Sequence, residues 1–357
     1  MSSHNEEILS YEYVLKYILW IKKIAIFDFT LAKSYKISWF FILLWKLFLT
    51  FLQFYLYIIV LPKLDSLHLR VMERYCHYAI NLLNLVVCSV LIFFDSGINS
   101  GNTILSRFDL RADKIFLKMR RCILIEYLLE EIIMLWKIII VFFFFALKFD
   151  LSMTLQTILF MYSDIIFNLT ITEFSGSLIT LAVYACKFHE NFRNSSHFDD
   201  SISYYIDSCK DICSSGRKIF ENFSNVIIIV IFHYFMILTY ISLNVKVTIL
   251  KGTNRDGDLK YYWAFLSSLR VCKIILGCSL HSFAINQMMD FLKSSITKMS
   301  DKDRKQVKFF LLERLHEPSI LEIKKCLQFD GGLLYSAIGA ITTYAVILFQ
   351  LDELQTS

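Results

Sequence analysis

Ser336, Thr343 and Gln350 stand seven apart near the end of the chain, in a stretch from Gly331 to Leu351 that carries no charge. On a helix this spacing stacks two hydroxyls and a carboxamide along one side. Gly332, Gly339 and Ile347 fall close to the same line, and Leu334, Ile338, Ile341 and Leu348 occupy the opposite side. Such a stripe holds no nucleophile, acid or base. It offers hydrogen-bonding groups and close approach of the backbone. Two uses fit: tight packing against a neighbouring helix, or the wetted wall of a pore or cavity. Spacing alone tilts toward packing.

No other cluster is built for bond making. There are nine cysteines, scattered without a paired pattern, so no disulfide framework is expected. Cys209 and Cys213 are four apart, but no second pair or histidine cluster joins them, and they read as helical neighbours rather than metal ligands. Paired catalytic carboxylates, a histidine-rich cluster and a phosphate-binding loop are all missing, so neither an enzyme nor a cofactor is expected. Five basic residues lie within the apolar spans (Lys46, Lys137, Lys246, Arg270 and Lys273), and Lys137 and Arg270 stand out among them. A charge there is costly and faces a cavity or a partner; Asp164 and Glu173 are the candidate partners.

The elements that carry these residues are membrane helices. Gly331 to Leu351 makes a helix about 30 Å long, the thickness of a bilayer core. Apolar residues make up 56% of the chain, more than a soluble domain needs. Only two prolines and ten glycines among 357 residues fit long, little-interrupted helices and exclude the short alternating strands of a membrane barrel. The expectation is an all-α, polytopic membrane protein with seven spans: 37–61 (ended by Pro62), 75–94, 126–149, 151–188, 226–250, 261–285 and 331–351. Residues 151–188 exceed a bilayer and should project into water. The charged segment 1–36 precedes the first span, amphipathic 187–225 and 286–330 separate later ones, and 352–357 form a short tail. No cleavable signal peptide is expected, because the first apolar run is too long.

Lysine and arginine placement orients the spans. Segments on the N-terminal side hold twenty-five basic residues and those on the other side seven. This puts the N-terminus in the cytoplasm and the C-terminus outside, opposite to a G-protein-coupled receptor, whose Asp-Arg-Tyr and Asn-Pro-x-x-Tyr motifs are also missing. The sequons at Asn168, Asn194 and Asn222 then lie in the membrane or the cytoplasm and carry no glycan. The net charge of +5 acts through this placement and does not point to nucleic acid.

Thr343-Tyr344-Ala-Val-Ile-Leu-Phe-Gln350-Leu351 resembles the signature of the insect gustatory receptor family: Thr-Tyr, five apolar residues, then Gln-Phe. Phe309 to Pro318, and Phe329-Asp330 with Leu333-Leu334-Tyr335-Ser336, resemble that family's text before and into its last span. The likeness covers the last ~45 residues in wording and the rest in topology. Leu351 replaces the family's Phe.

The resemblance implies a cation channel of four subunits, opened by a small-molecule tastant, each last span (331–351) forming one pore wall. Ser336, Gly339, Thr343, Ile347, Gln350 and Leu351 would then line the pore or gate it. Asp352 and Glu353 would ring the outer mouth and concentrate cations, or simply close a polar tail. Residues 37–285 would hold the ligand-sensing bundle, with 187–225 and 286–330 as a cytoplasmic anchor. Candidate ligand contacts in the outer half are Tyr78, Asn81, Phe144, Gln156, Tyr162, Tyr240, Asn244, Trp263 and Arg270. Aromatic walls with a few polar groups suit a small organic ligand, although Tyr261, Tyr262 and Trp263 equally suit an interfacial belt. The implied partners are permeant cations, membrane lipid, and copies of this chain or other gustatory receptors in the plasma membrane of sensory neurons. The apolar interior of the motif leans toward the divergent, bitter-type group. The alternatives are an olfactory-type subunit that needs a co-receptor, and a transporter, which the lack of internal repeats and broken helices argues against.

Overall fold

The computed structural model describes residues 39–66, 151–194, 202–251, 257–316, 322–323, 327–328 and 331–356, with isolated helical positions between Tyr78 and Ser89 and at Leu129, Ile132 and Trp136. Six α-helices follow in order: α1 (Trp39–Ser66), α2 (Leu151–Asn194), α3 (Ile202–Lys251), α4 (Gly257–Ser295), α5 (Asp301–His316) and α6 (Gly331–Thr356). A pair of two-residue antiparallel strands, β1 (Glu322–Ile323) and β2 (Leu327–Gln328), immediately precedes α6. Among the described residues three stretches are long and apolar enough to cross a membrane: Phe167–Asn194, Ile202–Ile241 and Phe265–Ser295.

Helices α2, α3 and α4 pack together through stripes that step three and four residues alternately. On α2 the buried stripe is Phe167, Ile171, Phe174, Leu178, Leu181 and Ala185. On α3 it runs from Cys209 through Cys213, Gly216, Phe220, Phe223, Ile227, Val230, Tyr234 and Ile237 to Ile241. On α4 it is Val271, Ile274, Cys278, His281, Ile285, Met288 and Leu292. A mean period of 3.5 keeps one seam facing its partner over many turns. This explains Cys209 and Cys213: both are buried seam positions. In lipid, such burial gains little from the hydrophobic effect, so close fit and dispersion must hold the helices together. Gly277 on α4 provides that fit, since a Cβ there would lie 3.1 Å from the Cα of Ser175 on α2.

At the far end of the bundle the chemistry changes to aromatic rings. Tyr205 on α3 meets Phe192 on α2 at 4.4 Å between ring centres, and Phe291 on α4 at 5.6 Å. His189 Nδ1 is hydrogen bonded to Tyr205 Oη at 2.8 Å. Helix α5 docks beside this hub, burying Val307 and Phe310. Lys210 Nζ pairs with Glu313 at 3.0 Å, and Gln306 Nε2 donates to Ser203 Oγ at 3.2 Å. Ser300 caps α5: its hydroxyl donates to the Asp303 carboxylate and accepts from the Asp303 amide, a reciprocal arrangement with an acid at the third helical position.

Three boundaries differ from the sequence expectation. Pro62 does not end α1, which continues to Ser66. A proline deletes one hydrogen bond, to the Ile58 carbonyl, and membrane helices tolerate that loss. The polar segment 187–225 is mostly helical: α2 extends to Asn194, and 202–225 is the first half of the 50-residue α3. Helix α6 runs past Leu351 to Thr356, because Glu353, Leu354 and Gln355 are good helix formers and no breaker intervenes. Residues 1–38 and most of the expected second and third spans lie outside the described residues.

Candidate functional site

Helix α6 lies at the edge of the bundle and touches α3 and α4. Its inner side is formed by Leu333, packed on the core, half-buried Ala340 and Ile341, and Tyr344, whose ring meets Phe235 of α3 edge-on at 6.0 Å. Ser336, Gly339, Thr343, Ile347 and Gln350 are all exposed on another side. A Cβ added at Gly339 would meet nothing within 4 Å. Among the described residues nothing buries this small, polar stripe, and Tyr335, Ile338 and Val346 of the same helix are exposed as well. Thr343 Oγ1 donates to the Gly339 carbonyl at 2.9 Å and Thr342 Oγ1 to that of Ile338 at 2.9 Å. Each donor is thereby occupied within the helix, and the hydroxyl oxygen of Thr343 faces outward as an acceptor. The side chains of Leu351, Asp352 and Glu353 lie outside the described set.

A second polar site sits inside the bundle. Arg270 of α4 is fully buried, and its Nη1 contacts Asp164 Oδ1 of α2 at 2.5 Å and donates to Tyr234 Oη of α3 at 3.0 Å. The guanidinium also lies 5.6 Å from the centre of the Tyr234 ring. Three helices are thus tied at one point. Of the two acids named from sequence, Asp164 is found on Arg270; Glu173 lies nine residues along α2, about 13 Å of helix away. Lys137 lies outside the described residues. Lys46 of α1, a charge within the first span, is buried too.

Of the ligand contacts named from sequence, only Tyr78, Tyr240 and Arg270 have described side chains. Tyr78 and Tyr240 are half-buried. Asn81 and Phe144 lie outside the described residues, as do the side chains of Gln156, Tyr162, Asn244 and Trp263. Arg270 is ion-paired rather than open. Sequence reading passed over His233 and Tyr234, which are buried next to it. The signal was available: Tyr234 sits on the 3.5-residue seam of α3 and His233 beside it, where polar side chains must find polar company.

The fold is similar to that of an insect olfactory receptor. OR5 from Machilis hrabei, in its complex with eugenol, superposes with a TM-score of 0.66 over 97% of this chain and 100% of that one, at 14% identity. The same receptor in a second structure gives 0.62 over the same shares, again at 14% identity. No protein-family model and no curated protein matches the sequence.

Proposed function

We propose that the chain is a tastant-gated cation channel of the gustatory receptor type, working as a tetramer with the N-terminus in the cytoplasm. One observation carries this reading. The Thr343-Tyr344…Gln350 motif lies on a helix whose small, polar stripe is exposed among the described residues. Four copies facing inward would surround a path lined by hydroxyl oxygens and carboxamides, groups that replace part of a cation's hydration shell. Tyr344, on the inner side, would couple that wall to α3. Leu351 would serve as the apolar constriction, and Asp352 and Glu353 would draw cations to the mouth. The ligand-sensing bundle, 37–285, and the anchor around Tyr205 and Phe310 keep the roles that the resemblance gives them.

The eugenol-bound neighbour supports an olfactory-type receptor equally well. The two readings part on a co-receptor. Expression of this chain alone, with whole-cell recording against a tastant panel, should give current; current only with a co-receptor would favour the olfactory type. Gln350→Ala should change conductance or ion selectivity. Absence of any evoked current, with basal conductance untouched by Gln350→Ala, would refute the channel. A monomeric or dimeric particle in mild detergent would refute a four-walled pore.

A further inference from the structure

The Arg270–Asp164 pair is internally neutral, yet its surroundings keep hydrogen-bonding capacity in hand. Asp164 Oδ2, both ring nitrogens of His233, and Ser267 Oγ are buried, and among the described residues none has a hydrogen-bond partner. Each belongs to the Arg270–Asp164 pair or to a residue adjacent to it. Ser267 lies one turn before Arg270 on the same face of α4. His233 lies within electrostatic reach of Arg270 and stands edge-on to Phe167 at 5.2 Å, one turn along α2 from Asp164. Buried polar atoms of this kind carry a penalty of about 1–3 kcal/mol each unless something satisfies them.

We propose that this three-helix cluster is the ligand-recognition point, and that it selects neutral molecules carrying a hydroxyl or amide group. The argument is one of charge and of donor count. An amine would add a positive charge beside Arg270 and a carboxylate a negative one beside Asp164, whereas a neutral group adds neither. A neutral hydroxyl can donate to Asp164 Oδ2 and accept from Ser267 Oγ, with His233 serving either way. Occupancy here is also placed to reach α6. Tyr234 faces Arg270, and the next residue, Phe235, meets Tyr344.

This inference rests on the receptor reading, so binding and current are read separately. The probes are matched sets built on one ring: benzyl alcohol, its methyl ether, benzylamine and benzoate, with eugenol and its methyl ether as a second set. Binding is measured as thermal stabilisation of the purified full chain in detergent, and gating as whole-cell current. The alcohols should bind at least about tenfold more tightly than their ethers, as loss of a hydrogen bond to a charged group predicts. The charged analogues should bind more weakly than the alcohols. Asp164→Asn removes the carboxylate paired with Arg270 and should turn preference toward benzoate. Ser267→Ala, which changes one atom, should weaken the alcohols about tenfold without affecting the ethers. Phe235→Ala should keep binding and reduce current. Equal binding of alcohol and ether, wild-type preference for a charged analogue, or no binding by any probe would overturn the proposal. Selective binding without current would leave it standing and refute the channel instead.

Discussion

Gly216→Ala tests a close approach of α3 to α4. Gly216 is a seam residue of α3, and a Cβ built there falls 2.2 Å from His281 Nε2 and 2.4 Å from its Cε1. Real side chains do not approach so closely, so one group must move. The imidazole cannot swing into open space, because His281 is only 3% exposed and lies in the seam of α4. Overpacking of this kind costs about 1–3 kcal/mol. Replacing glycine by alanine within a helix returns up to about 1 kcal/mol of backbone propensity, so a net loss of about 1–2 kcal/mol is expected. Apparent melting temperature of the detergent-purified chain, compared at one scan rate, should fall by a few degrees. His281→Ala by itself opens a cavity and should also destabilise. Together the two changes should cost less than the sum of the singles, since the new methyl enters the space the ring vacates. An unchanged or raised melting temperature for Gly216→Ala, or strict additivity with His281→Ala, would refute the close approach of α3 and α4 at this level.

Arg270→Ala strands Asp164 as a buried charge and should lower the melting point or folded yield by the equivalent of about 3–5 kcal/mol, whereas Arg270→Met with Asp164→Leu should cost much less. Size-exclusion yield of the two variants separates these outcomes. Gly277→Val, set against the Ser175 backbone, should sharply reduce folded yield, while Gly339→Ala should leave stability unchanged or slightly higher and alter conductance. Similar effects of the two on folding would mean that α6 is packed within its own chain. Asn194 and Asn222 should remain unglycosylated in secretory-pathway expression; a glycan on either, seen as an endoglycosidase-sensitive mass shift, would invert the proposed topology.

The sequence showed some of this arrangement and hid other parts for definable reasons. Gly331 was legible as the start of α6, because an uncharged run of bilayer length begins there. Asp164 was legible as one of two partners for Arg270, and only the packing of α2 on α4 could choose between them. The continuity of α3 was hidden by hydropathy. The charges Asp199, Asp200, Lys210, Arg217 and Lys218 mark an amphipathic segment separate from the span that starts at Val226, while the seam from Cys209 to Ile241 passes straight through that point without changing period. A scan for period rather than polarity would have joined the halves. The pairing of Gly216 with His281 was out of reach, since residues sixty-five apart on separate helices leave no mark in local spacing. The side of α6 that is left uncovered was also out of reach, because period locates a stripe but not its neighbour.

Helix α3 also has a mechanical consequence. Fifty residues without a break form a rod about 75 Å long, more than twice the bilayer core. Phe235 and Tyr234 lie roughly two-thirds of the way along it, and Tyr205 and Lys210 lie near one end. With no hinge between, a tilt of about 5° at the buried arginine displaces the Tyr205 end by about 4 Å, given ~1.5 Å of rise per residue. The rod turns a small adjustment inside the membrane into a lateral stroke near the aromatic hub.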